Sequence, residues 1–224
     1  MKKATKILLT LLCAALLVTG TILGTIAYLI DSEEVVNTFT VGNVDIKVDE
    51  AKVSEDGEPV TPAERVAGNE YHLIPGQTYT KDPTMTVVKG SEESYVRLLV
   101  TITNAAELKA IFGNTFDPKD YAAGWDDTVW VPGAVKEDTT ANTLTYEYRY
   151  YKTVDAYEAT DDIVLEPLFT EFTLPGDKVN GQQLKTLEGL KITVEGHAIQ
   201  RVALDTADAA WAAFDAQYAN ENNP

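Results

Sequence analysis

The residues able to do chemistry are few. A zinc peptidase needs two histidines one helical turn apart with an acid between them, so that both ring nitrogens reach one metal. This chain has two histidines in all, His72 and His197, and each falls in a stretch with strand character. They read as hydrogen-bonded structural residues; a site assembled across strands from both, with a carboxylate, is the alternative. There is no GxSxG elbow for a serine nucleophile, no Walker loop and no GxGxxG. The one cysteine, Cys13, lies in an apolar run after Leu12, where a lipoprotein signal requires a small residue, and it reads as a plain leader residue. The expectation is a non-enzyme with no cofactor and no bound metal.

The chain opens with Lys2, Lys3 and Lys6, followed by the 24 uncharged residues 7–30. That is a secretory leader, with the small residues Thr25 and Ala27 placed for a signal peptidase to cut before Tyr28. An uncleaved membrane anchor is the competing reading, because the run also reaches the roughly 17–25 residues that span a bilayer. Gly20, Gly24, Thr25 and Ala27 favour cleavage. Cleavage removes three lysines and the cysteine, taking the net charge from −17 to −20. The mature chain then has no disulfide, so a single hydrophobic core must hold it. An acidic surface of this size repels nucleic acid and anionic lipid. No Asp-rich loop has the EF-hand glycine, so the acids read as a solvated coat and not as calcium ligands.

Period-two alternation dominates the rest of the chain. Val96, Leu98, Val100 and Ile102 share one face of a strand over 95–103, with Arg97, Thr101 and Thr103 on the other, and the first four are the expected core. Asn104 is the expected N-cap of a helix over 105–112 that Gly113 ends. Pro75-Gly76 suits the centre of a type II turn. Thr128-Val129-Trp130-Val131 reads as a strand stopped by Pro132-Gly133. Leu144, Tyr146, Tyr148 and Tyr150 alternate along another strand, where the tyrosines cover a sheet face with wet hydroxyls instead of forming a carbohydrate or peptide platform. Residues 168–174 and 190–198 are further strands, with Gly196 as a candidate bulge. Ala207, Ala210, Trp211, Phe214 and Tyr218 mark a terminal helix capped by Asp205 or Thr206 and packed on its own domain. The fold class is therefore all-β, an antiparallel sandwich with a short inserted helix and a C-terminal helix. The chain divides into a signal peptide (1–27), an extended segment (28–42), a single sandwich domain (43–219) and a polar, frayed tail (220–224).

Two strings carry a resemblance. Gly24-Thr25-Ile26-Ala27-Tyr28-Leu29-Ile30-Asp31-Ser32-Glu33, followed by Asn37-Thr38-Phe39-Thr40-Val41-Gly42-Asn43-Val44-Asp45-Ile46, resembles the leader junction of the TasA and camelysin (CalY) family of Gram-positive bacteria. Leu73-Ile74-Pro75-Gly76-Gln77 and Gly196-His197-Ala198-Ile199-Gln200 extend the likeness, and residues 105–185 add nothing to it. The resemblance implies cleavage by a SipW-type signal peptidase and a jelly-roll subunit of extracellular biofilm matrix fibres, in which other matrix proteins are further candidate partners. An open sandwich leaves strand edges with unpaired backbone groups. Residues 28–41 contain neither proline nor glycine, and Val35, Val36, Thr38, Phe39 and Val41 are the expected donor strand that completes an edge of the next copy, head to tail. Folding back of 35–41 into its own sheet is the competing state. The alternative functions are a membrane-anchored monomeric binding module and a camelysin-like metalloprotease.

Overall fold

The structure, a computed structural model, describes residues 30–33 and 44–222. Its strands, in chain order, are β1 (Ile30–Glu33), β2 (Ile46–Ala51), β3 (Arg65–Val66), β4 (Thr78–Thr80), β5 (Thr84–Val87) and β6 (Ser94–Thr103). They continue as β7 (Ala122–Ala123), β8 (Trp130–Asp138), β9 (Thr143–Tyr150), β10 (Ile163–Val164), β11 (Glu171–Thr173) and β12 (Ile192–Gln200). The helices are α1 (Ala105–Phe112), α2 (Gly181–Thr186) and α3 (Ala207–Asn222), with a 3-10 turn at Pro118–Tyr121. Every strand pairing is antiparallel, in a five-stranded sheet ordered β1-β12-β6-β9-β8, a four-stranded sheet β10-β5-β2-β3 and a three-stranded sheet β4-β11-β7.

The alternation in β6 sets the layering. Val96, Leu98, Val100 and Ile102 are each at most 2% exposed and face Ile46, Val48, Met85 and Val87 of the four-stranded sheet in one core. Leu144, Tyr146 and Tyr148 of β9 join the same core. The sheets come close at Gly196, where an added Cβ would lie 2.5 Å from Val48 Cγ2 and 2.8 Å from Met85 Cε. Gly196 is therefore no bulge: β12 pairs with β6 without interruption from Ile192↔Ile102 to Gln200↔Ser94. What the glycine provides is the absence of a side chain between two sheets. The bulge lies instead in β8, between Pro132 and Val135, and it lets that strand run on past the proline and glycine expected to stop it.

Local chemistry explains the other boundaries. The turn before β4 is made by Pro75 and Gly76, with Gly76 at φ 89° and the Gln77 N–H donating to the Ile74 carbonyl at 3.1 Å. Helix α1 has the expected bounds and a different cap. Asn104 sits in the left-handed region and makes no side-chain capping bond. Its place is taken by Asn142 in the β8–β9 turn, whose backbone oxygen accepts from Ala105 N–H (3.1 Å) and whose Oδ1 accepts from Ala106 N–H (2.9 Å). Thr206 Oγ1 caps α3 through Ala209 N–H, and α3 runs on through residues 220–222, which were expected to be frayed. The Tyr146 hydroxyl is not wet, for it donates to the Phe116 carbonyl at 2.8 Å. Among the described residues, no helix is long and apolar enough to cross a membrane.

Candidate assembly edge and the buried charges behind it

One edge of the five-stranded sheet is made by the N-terminal segment. β1 pairs with β12 in the register Ile30↔Ile199, Asp31↔Ala198, Ser32↔His197 and Glu33↔Gly196. The expected cleavage residues Thr25, Ala27 and Tyr28 and the expected donor residues Val35, Val36, Thr38, Phe39 and Val41 lie outside the described residues. Of the segment 28–42, the described residues 30–33 pair in the sheet, and their partner is the strand ending in Gly196-His197-Ala198-Ile199-Gln200.

The outer face of β12, β6 and β9 is not a solvated polar face. Helix α3 lies across it, burying Trp211 and Phe214 against Ile199 and Leu204, with Tyr95 and Tyr218 alongside. The helix thus packs on its own domain, as its apolar stripe predicts. Beneath it Arg97 is 4% exposed, His197 2% and Glu147 6%. Arg97 donates to Glu147 Oε1 at 3.1 Å, to Asp215 of the helix, and through Nε and Nη2 to His197 Nδ1 at 3.2 and 3.1 Å. Its guanidinium lies 4.4 Å from the Trp211 ring centre and 5.0 Å from that of Phe214. His197 stacks on Phe214, with ring centres 4.5 Å apart, and its Nε2–H donates to Glu195 Oε1 at 2.7 Å. Tyr218 donates to the same oxygen at 3.3 Å. Arg149 adds two bonds to Glu147 and one to Asp208 of the helix.

This arrangement settles the state of His197. An arginine can only donate, so Nδ1 is the acceptor and Nε2 carries the proton. Burial pushes the imidazole below its ordinary value; Glu195 opposes that and the Arg97 charge reinforces it. Burial pushes Glu195 up, but the His197 N–H, the Tyr218 hydroxyl and the charges of His197 and Arg97 more than offset this and leave it low. Glu147 is likewise held low against burial by Arg149, the Ala134 N–H and Arg97. With both ring nitrogens engaged, His197 has no free lone pair for a substrate proton or a metal. His72 is exposed, in the loop before β4. Among the described residues, no cluster of three or more His, Cys, Asp or Glu is placed to hold a metal ion.

A cavity of about 70 Å³ lies between α1, the ends of β6 and β12 and the three-stranded sheet, lined almost wholly by apolar groups including Phe112, Phe116, Trp125 and Phe172. It is far below the roughly 300–1,000 Å³ of a small-molecule site. A second buried charged group joins Glu50 on β2 to Lys81 just after β4. Sequence reasoning missed Arg97, Glu147, Glu195 and Asp215 because each looks like an ordinary surface charge. The available signal was the pairing of an apolar stripe in α3 with alternate positions of β12. No family model, no curated protein and no solved structure matches the chain.

Proposed function

We propose that this chain is a secreted, non-catalytic structural subunit of extracellular fibres, a jelly-roll-like sandwich that assembles with copies of itself, head to tail, through its N-terminal segment. The observation that carries the reading is β1. A segment of four residues, next to the expected cleavage point, occupies the outermost position of the large sheet and is held there by backbone pairing to β12. Backbone pairing is indifferent to which copy supplies the strand. The same register made with β12 of a neighbouring copy exchanges the segment, and because donor and acceptor are different surfaces the contact need not close.

The sequence likeness at the leader junction supports export and cutting by a SipW-type peptidase. The sealed histidine supports a structural role over a proteolytic one. The test is deletion of residues 28–41 from the mature protein. The expected variant keeps its β-rich circular dichroism and forms no filaments in electron micrographs. A folded variant that makes filaments as readily as the parent overturns the exchange of this segment.

A further inference from the structure

Glu50 and Lys81 are 3% and 6% exposed, and the carboxylate of Glu50 bridges two nitrogens. Oε2 accepts from Lys81 Nζ, and Oε1 accepts from Asn69 Nδ2 at 2.8 Å. The Asn69 carboxamide is held on its other sides as well: Oδ1 accepts from Val53 N–H at 2.9 Å, and Nδ2 donates to the Ala51 carbonyl at 2.8 Å. The Tyr71 ring, 5.8 Å from Nζ, walls the group on one side. A primary amine and a carboxamide thus meet on the two oxygens of one buried carboxylate, with a backbone donor on the carboxamide oxygen.

We propose that Lys81 and Asn69 become joined by an amide bond between Nζ and Cγ, with Glu50 as the proton shuttle. Glu50 takes a proton from the Lys81 ammonium, and the freed Nζ lone pair attacks Asn69 Cγ. The π electrons of the carbonyl move to Oδ1, where Val53 N–H stabilises the developing charge. As the tetrahedral intermediate collapses, the acid form of Glu50 protonates Nδ2 and the Cγ–Nδ2 bond breaks. Nζ gives up its remaining extra proton, and ammonium leaves, carrying the charge that lysine brought. Nothing is oxidised or reduced. An ion pair at this depth carries the desolvation cost of both charges; the amide removes the lysine charge and leaves its N–H to donate to Glu50. In a mature chain without cysteine, the bond closes residues 69–81 into a covalent loop that holds the Pro75-Gly76 turn and β4 to the body of the protein. The proposal stands independently of the fibre reading.

The experiment is mass spectrometry of the purified mature protein. The expected intact mass is below that of the sequence by one ammonia, about 17 Da. Trypsin should leave residues 66–89 as one uncut piece that carries the whole loss, because an acylated Lys81 is not cleaved. Mapping the loss to this piece separates it from ring closure at Asn180-Gly181. Lys81→Met and Glu50→Gln should restore the full mass. Full mass in the parent, with cleavage at Lys81, overturns the proposal whether or not the variants fold.

Discussion

Replacing Arg97 with alanine tests the docking of α3. Arg97 is buried and bonded to Glu147, His197 and Asp215, and it lies against two aromatic rings of the helix. Breaking a buried ion pair typically costs about 3–5 kcal/mol because the other charge is stranded. Here Glu147 keeps Arg149 and the Ala134 N–H, and Asp215, with 47% of its side chain exposed, can turn to water. The loss therefore belongs at the lower end, about 3 kcal/mol, of a domain stability of roughly 5–15 kcal/mol. Arg149→Ala is the control. It removes bonds to Glu147 and to Asp208, whose side chain is 89% exposed, while Arg97 remains, so about 1 kcal/mol is expected. Urea unfolding, followed by circular dichroism and tryptophan fluorescence, measures both. If Arg97→Ala costs no more than Arg149→Ala, the buried cluster does not hold the helix.

Acid should loosen the same region. A histidine held below its ordinary 6.5 and carboxylates held below their ordinary 4.5 all bind fewer protons folded than unfolded, so stability falls as pH falls. The His197 contribution, complete above 6.5, is lost below it, and those of Glu195 and Glu147 follow below 4.5. Denaturation midpoints between pH 8 and pH 5 should drop more for the parent than for His197→Gln, and equal slopes would count against a buried neutral imidazole. Gly196→Ala should cost about 1–3 kcal/mol through overpacking, with part of it recovered when Val48→Ala is added, since Val48 Cγ2 is the nearest obstruction. No recovery in the double variant would place the strain elsewhere.

The core of the sandwich was legible because burial on one face writes itself into alternation, as at Val96, Leu98, Val100 and Ile102. The opposite face was not. Arg97 and His197 occupy outward positions that read as solvent, and only the helix more than a hundred residues past Arg97 turns them into an interior. Pro132-Gly133 read as a stop because proline breaks a ladder, yet an edge strand can absorb it in a bulge. Gly196 read as a bulge because a glycine in a strand announces either that or a close approach, and sequence does not say which. Asn69 carries no pattern in the sequence that marks it, since its importance comes from meeting Lys81 on the two oxygens of Glu50.

The cap of α1 has a consequence for the order of folding. The N–H groups of Ala105 and Ala106 are satisfied by Asn142, whose Nδ2 in turn donates to Glu107 Oε2 at 2.9 Å. A helix of eight residues is too short to persist alone in water. Its first turn becomes favourable only after β8 and β9 have paired and brought their turn alongside, so α1 and that hairpin open and close as one unit. In hydrogen exchange, the α1 amides should therefore report the pairing of two strands that lie beyond them in the chain.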